Sequence, residues 1–489
     1  MAAVDVTDSG VSLLPDPTRV VTRLFVAGRE DVGPGASRAT PVIQRVLDLS
    51  EAQVEAEMRD LVRRFASRHR GIEDTYREHA AVVLARLDGA GDGISETRVL
   101  LLGAAFTHEY AIEGAALCNP SAVLFPDAPQ GGSAAFVMSV RGMGEGHRSS
   151  IGFRTGAVTS EGTVRLDPAG PFPVIAQPTP ALHRRDVVRA QLADLGDDDE
   201  NASFVLDALP DEFDGAQLSE RMEALAADAA TRRHTQDTIA NLRHVAESSY
   251  SVAFPEQTAL SERVLWPHSP AERHGMEDAR FVRFTHDDGA VTYYGTYTAF
   301  DGLNIAQHLL ETTDFRSFVA SPMAGSAAEG KGLALFPRKV GGRYAALTRA
   351  DRENNGVAFS DDMRCWPTSE QIQTPTKMWE LLQLGNCGSP IETDAGWLVI
   401  THGVGPMRTY TLGAILLALD EPQHVLATSD APILGPGIDR RDGYVPNVVY
   451  SCGGFAHGDV LVLPYGIADQ RIAIATMSIS QLVGSLRRV

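Results

Sequence analysis

Two stretches of the chain carry apolar residues at helical intervals, and the remainder alternates in short runs. Ser50 and Gln53 have capping-box spacing, and behind them Val54, Met58, Leu61, Val62 and Phe65 recur on one helical face. Tyr76, Ala80, Val83, Leu84 and Leu87 share a second face, with Asp88-Gly89 as its stop signal, which predicts a helical pair over residues 40–90. Residues 1–35 read as a Pro/Gly/Asp-punctuated lead-in with one strand, Val20–Ala27. A second helical segment, near 183–250, places Leu218, Met222, Leu225 and Ala229 on one stripe, continued by Ile239, Leu242 and Ala246. The acidic run Asp197-Asp198-Asp199-Glu200 reads as a solvated loop, because like charges repel and do not pack.

From about residue 97 the texture changes to β-rich runs broken by Gly, Asp and Pro. Strand pairs are expected at Ala279–Phe284 with Val291–Thr298, Leu333–Lys339 with Tyr344–Thr348, Ser389–Glu392 with Trp397–Thr401, and Asn447–Ser451 with Val460–Pro464. The turns between them carry Gly or Asp, as tight hairpins demand. An earlier copy runs through Asn119–Phe125 and Ala134–Val140. Taking Asp278, Arg338, Ser389 and Asn447 as equivalent points, the spacings are 60, 51 and 58 residues, about one four-stranded blade each. The expected architecture is mainly β, a five-bladed β-propeller with added N-terminal helices and a helical insertion between blades one and two. Its divisions are 1–96 for the lead-in and helical pair, 97–182 for the first blade, 183–252 for the insertion and 253–489 for the other blades.

Composition narrows the function. Lys and Arg number 43 against 63 Asp and Glu, for a net charge of −20. That balance argues against nucleic acid and anionic membrane surfaces as partners. No apolar run approaches the roughly 20 residues of a bilayer span. Cys118, Cys365, Cys387 and Cys452 are widely spaced, which fits a reduced cytoplasm and excludes a disulfide scaffold. There is no HExxH, P-loop, dinucleotide fingerprint, GxSxG or metal-ligand spacing, so neither a metal nor an organic cofactor is expected.

The first strand of each propeller blade lines the central channel, so polar residues there converge. Blade one offers Asn119 and Arg141; blade two Glu277, Asp278, Arg280, Tyr297 and Asp301; blade three Arg338, Lys339 and Arg349. Blade four offers Asn386, Ser389 and His402, and blade five Arg441, Asp442, Tyr444 and Asn447. On an extended chain only one of Glu277 and Asp278 faces the channel, leaving the other to pair with Arg280 or a neighbouring blade. Arg338 and Lys339 are flanked by Ala334, Leu335, Phe336 and Val340, and cations on buried strands are costly unless an anion meets them.

The stretches Gly275–Arg280, Tyr297–Gly302, Leu335–Arg349, Gly388–Gly403 and Asp442–Asn447 together resemble glycoside hydrolase family 130, the β-mannoside phosphorylases and mannosidases. The helical additions make the chain most similar to members acting on β-1,2-linked oligomannosides. Ala279 stands where the family usually has Pro. The resemblance implies a five-bladed propeller that cleaves a β-mannosidic bond with inversion, phosphate being the co-substrate and α-mannose 1-phosphate the product. It makes Asp278 the general acid, acting through the sugar's 3-hydroxyl, and Arg338, Lys339, Arg349 and His402 the phosphate-holding group. Asn119, Arg141, Asp301 and Asp442 would hold the non-reducing mannose; Glu277, Arg280, Tyr297, Ser389, Tyr444 and Asn447 complete the expected substrate set. Partial burial should raise the acid's pKa and keep it protonated. The family's hydrolases use carboxylates to activate water, and Glu353 keeps an inverting β-mannosidase as the alternative, with a non-catalytic sugar-binding propeller behind it. The helices are expected to serve homo-oligomer contacts or to wall the acceptor side.

Overall fold

Hairpins form where the alternating runs place them. In the computed structural model, which describes residues 4–25, 39–85, 93–125, 132–228 and 232–489, Gly275–Thr285 pairs with Val291–Phe300 around the Asp287–Gly289 turn. Ala334–Leu335 pairs with Tyr344–Thr348, Ile391–Thr393 with Gly396–Gly405, and Phe455–His457 with Val460–Ile467. Each pair grows into an antiparallel meander. The first runs Ala116–Leu124, Ser133–Met143, Ser149–Thr159, Val164–Leu166, and the second Gly275–Thr285, Val291–Phe300, Ile305–Thr312, Ser317–Pro322. A single parallel pairing, Gly275 with Ser149, joins these two into one sheet. The third meander runs from Ala334–Leu335 to Ser369–Gln373, and the fourth from Gln383–Asn386 to Val425–Thr428. The last borrows a strand: Thr7–Leu13 pairs antiparallel with Arg471–Ser478, beside Val460–Ile467. The protein is mainly β.

The expected register needs correction in the third and fourth meanders. Asn119 and Asp278 lie on the inner strands Ala116–Leu124 and Gly275–Thr285, and Asn447 just precedes Val449–Tyr450. Arg338 instead follows the strand Ala334–Leu335, and Ser389 follows Gln383–Asn386. Counting back from a turn locates the turn end of a strand but not its other end, where the two meanders are shortest.

The chain divides into two compact units, Asp16–Gly114 with Gly170–Val174, and Met1–Pro15 with Ala115–Ala169 and Ile175–Val489. In the first, the helix Glu51–Phe65 begins at the expected capping box of Ser50 and Gln53 and buries Val54 and Met58. Ile72–Leu84 buries Tyr76, Ala80 and Val83; Leu87 and the expected stop at Asp88-Gly89 lie outside the described residues. The strand Val20–Leu24 pairs with Thr107–Ala111. A helix, Glu96–Ala105, occupies the start of what reads as β-rich chain, because the short apolar run Val99–Leu102 has no periodicity to distinguish it from a strand. Its buried Arg98 donates to the carbonyls of Val46, Leu47 and Leu49 and pairs with Glu51, satisfying backbone groups left open where the helix Ala39–Leu47 ends.

In the second unit, Arg185–Asp194, Glu200–Leu206, Gly215–Ala227 and Thr235–Glu247 form the insertion, with Leu218, Met222, Leu225, Ile239 and Leu242 in its core. The acidic run is a largely exposed loop, as expected, and hydrogen bonds order it. Asp199 caps Glu200–Leu206 through the Asn201 and Ala202 N–H groups, Asp197 accepts from Thr238 and Asn241, and Asp198 pairs with Arg189. Among the described residues no helix is long and apolar enough to cross a membrane.

Gly103 sets the closest helix approach in the first unit: a Cβ there would lie 1.7 Å from the Tyr76 carbonyl oxygen. Gly103→Ala should force Glu96–Ala105 away from Ile72–Leu84 and cost about 1–3 kcal/mol, read as a lowered thermal midpoint. An unchanged midpoint would contradict this packing.

Candidate active site

Two β-bulges build the site. The strand register slips between Cys118 and Ser121 and again between Glu277 and Arg280. The slipped residues Asn119 and Asp278 have φ of 47° and 54°, and Asn447 has φ of 63°. Left-handed backbone is strained for residues with a Cβ, least so for Asn and Asp, and its cost is met only where surroundings enforce it. The bulge also undoes the alternation expected of Glu277 and Asp278. Both carboxylates reach the same guanidinium: Arg141 Nη2 lies 2.6 Å from Glu277 Oε1, and Nη1 3.2 Å from Asp278 Oδ1. Lys331 Nζ adds a third ionic contact, 2.8 Å from Glu277 Oε2.

Arg280 is the most enclosed cation, 2% exposed. Its guanidinium donates to the carbonyls of Asp278 (2.8 Å) and Cys387 (3.1 Å) and to the Tyr450 hydroxyl (2.9 Å), so no carboxylate oxygen is among its hydrogen-bond acceptors. Arg349 Nη1 donates to His402 Nε2 at 2.9 Å, which puts the ring proton of a neutral His402 on Nδ1. Burial, with the charges of Arg349 and Arg280, holds His402 well below its ordinary pKa, so it is neutral. The His402 ring packs edge-on to Tyr450, and Asn386 donates to the Gly332 carbonyl nearby. Arg349 Nε and Asn386 Oδ1 are buried without hydrogen-bond partners. Gly332 brings these groups together: a Cβ there would lie 4.0 Å from both Arg280 Nη2 and Asn386 Oδ1.

Burial pushes the Asp278 carboxyl up, but the charges of Arg141, Lys331 and Arg280 outweigh it and hold the group below its ordinary range. The expected burial-raised acid is therefore corrected: without an added anion, Asp278 is a carboxylate. Asp469 behaves oppositely. Burial pushes it up to about 6, against the pull of Arg141. Arg141, Lys331, Arg280 and Arg349 thus face the carboxyl groups of Glu277, Asp278 and Asp469, four cations to three acids, an excess of positive charge suited to a tetrahedral oxyanion.

A family model described as beta-1,4-mannooligosaccharide phosphorylase, glycoside hydrolase 130, matches residues 232–488. The chain belongs to the glycoside hydrolase 130 family. A 1,2-beta-oligomannan phosphorylase of Thermoanaerobacter sp. (strain X514) is 33% identical over 227 residues, covering 46% of this chain and 75% of that protein. A beta-1,2-mannobiose phosphorylase of Listeria innocua is 32% identical over 232 residues, covering 45% of this chain and 63% of its own. Among solved structures, the beta-1,2-mannobiose phosphorylase from Listeria innocua in complex with beta-1,2-mannobiose has a TM-score of 0.46 and 22% identity, covering 77% of this chain and 93% of that one.

In this glycoside hydrolase 130 chain the expected residues separate into two groups. Arg141, Glu277, Asp278, Arg280, Arg349 and His402 come together, and Asn119, beside Cys118, borders them. Arg338 and Lys339 do not join. Arg338 Nε pairs with Glu392 Oε2 at 2.9 Å and its guanidinium lies over Trp397, while Lys339 pairs with Asp287 at 3.0 Å. The Pro337 carbonyl accepts from the Thr285 N–H, seven residues along the strand from Asp278 and so roughly 20 Å away. The neighbours are apolar but these cations snorkel to acidic partners. Ser389 is two residues beyond Cys387, whose carbonyl accepts from Arg280, but it shares a cavity with Arg338 and Glu392.

Tyr297 is buried in a separate network with Glu272 and His308. Asp301 is spent on its own turn, accepting from the Leu303 and Asn304 N–H groups. Asp442 is exposed, Tyr444 donates to or accepts from His147 Nδ1 at 2.8 Å, and the Asn447 carbonyl accepts from the Tyr410 N–H. Glu353 lies exposed in the Asp351–Asn354 turn.

Lys331, Tyr450 and Asp469 were not foreseen. Gly330-Lys331-Gly332 and Ala468-Asp469 fall outside the expected strand pairs; a charged residue in a turn beside a strand is the signal that was available. Asp469 offers a pH test. Its folded-state pKa of about 6 exceeds the ordinary 3.8, so native stability is lost as pH rises between those values. Asp469→Asn, which cannot ionise, should gain in thermal midpoint relative to the native chain across that window and hold the gain above it. A difference independent of pH would refute the raised pKa.

Proposed function

We propose that the chain is an inverting phosphorylase of β-1,2-linked mannosides, converting an oligomannan or mannobiose and phosphate reversibly into α-mannose 1-phosphate and a shortened acceptor. The observation that carries this reading is the cation cluster of Arg280, Arg349 and Lys331 beside Asp278, in which Arg280 has no carboxylate hydrogen-bond partner. The names of the related phosphorylases supply the sugar and the linkage. The five meanders support a five-bladed propeller, and the four free thiols support a cytoplasmic setting. Inorganic phosphate is the co-substrate, and the reaction as written calls for no organic cofactor.

In the reaction, a phosphate oxygen forms a bond to the anomeric carbon as the glycosidic C–O bond breaks, and the leaving oxygen takes a proton delivered from Asp278. Inversion requires phosphate and leaving group on opposite faces of the sugar. Phosphate carries its own negative charge, so no second carboxylate is needed to activate it. Its charge also offsets Lys331 and Arg280, which together with Arg141 keep Asp278 ionised. Phosphate binding then raises the acid's pKa, so that the nucleophile prepares its own proton donor. Arg141 keeps Asp278 aimed while Glu277 shares its charge.

Incubation of β-1,2-mannobiose should release α-mannose 1-phosphate only when phosphate is present. Release of free mannose at an undiminished rate without phosphate would replace this reading with a hydrolase. Asp278→Asn should lower turnover by at least ~10²-fold with little effect on substrate binding. Arg349→Ala should raise the Michaelis constant for phosphate by about tenfold or more, whereas Arg338→Ala should leave it unchanged. The opposite ranking of the two arginines in phosphate kinetics would return Arg338 to the site.

A further inference from the structure

A second polar cavity, about 300 Å³, lies between the helical insertion and the second meander. Small-molecule sites begin at about this size. Gln191, Asp194 and His244 line it from the insertion, and Gln307, Glu329 and Arg352 from the β framework. Val245, Ile305 and Met323 supply an apolar wall.

Gln307 brings an unsatisfied acceptor to the cavity lining. It is 2% exposed, and its Nε2 donates to Thr298 Oγ1 at 3.1 Å and to the Gly330 carbonyl at 3.2 Å. Its Oε1 has no hydrogen-bond partner. A buried amide oxygen left without a donor is unfavourable, and a ligand hydroxyl would satisfy it. Asp194, on the exposed rim of the cavity, accepts from the Gly325 N–H through one oxygen, and partial desolvation pushes its carboxyl up. Two carboxylates against one guanidinium disfavour an anion such as phosphate. Amides, carboxylates and an imidazole around an apolar wall suit a neutral polyol.

The cavity is continuous in chain with the catalytic cluster. Gly330, which lines it, immediately precedes Lys331, whose amine reaches Glu277. The cavity lining and the residue whose side chain carries that amine to the cluster are thus neighbours in the chain. Arg352 likewise follows the short turn that begins at Arg349, whose carbonyl accepts the Arg352 N–H.

We infer that this cavity is a carbohydrate subsite, taking one mannosyl unit of an oligomannoside apart from the unit held at Asp278. The inference rests on the phosphorylase reading for the identity of the sugar. It gives the insertion a role: His244, Asp194 and Gln191 make the enzyme sensitive to chain length.

The test compares β-1,2-mannobiose with the tetrasaccharide, by calorimetric binding without phosphate and by phosphorolysis. Two variants are used, Ala306→Phe to fill the cavity and the exposed His244→Ala, which leaves the core of the insertion intact. The native chain should bind the tetrasaccharide at least tenfold more tightly than mannobiose. Both variants should weaken tetrasaccharide binding by about fivefold or more and leave mannobiose kinetics within twofold. Equal affinity of the native chain for both sugars, or equal effects of the variants on both, overturns the subsite. If the native chain binds the tetrasaccharide tightly but phosphorolyses neither sugar, and Ala306→Phe abolishes the binding, the subsite stands while the phosphorylase reading falls.

Discussion

A buried guanidinium whose hydrogen-bond acceptors include no carboxylate governs this structure. Arg280 is held by the carbonyls of Asp278 and Cys387 and by the Tyr450 hydroxyl, so three of the β meanders meet around one positive charge. Dipoles orient such a charge but do not neutralise it, and an ion so enclosed is costly until an anion arrives. Arg349 repeats the pattern at lower burial, leaning on a neutral imidazole. On the proposed reading, the phosphate co-substrate completes the fold electrostatically. The surrounding cations also hold Asp278 ionised, and on the proposed mechanism they make nucleophile binding and acid protonation one coupled event.

Local geometry was legible in the sequence, and the site was legible where it coincides with local geometry. The Asp287–Gly289 turn and the Ser50–Gln53 cap were readable because each depends on residues a few positions apart. Glu277, Asp278 and Arg280 were readable because they crowd one strand end. Their shared partner was not. The rule of alternation separates Glu277 from Asp278, and only a bulge with Asp278 in left-handed backbone brings both to Arg141. Arg338 and Lys339 misled for the converse reason: their neighbours in sequence are buried, but their own partners, Glu392 and Asp287, lie more than fifty residues away. Lys331 and Asp469 hid in turns, where charge is commonplace.

The insertion and the N-terminal helices contribute differently to what can be read from sequence. Leu218, Met222, Leu225, Ile239 and Leu242 revealed the insertion's core by periodicity alone. Its polar face carried no such signal, since Gln191, Asp194 and His244 acquire meaning only opposite Gln307 and Glu329. A helix face can be recognised from its own residues. A site shared between elements cannot.

The borrowed strand has a consequence for how the molecule is made. Ser9 Oγ donates to the Ile474 carbonyl across a sequence separation of 465 residues. Contacts so distant in sequence close late and slowly, because most of the chain must be ordered between them. During synthesis Thr7–Leu13 emerges long before Arg471–Ser478 and waits for it. A waiting strand is a template for wrong partners. This one is poorly suited to that error: Asp8, Ser9 and Gly10 interrupt it, and its register with the last sheet slips between Asp8 and Ser12. The residues that make the pairing irregular also keep the nascent chain from pairing too soon.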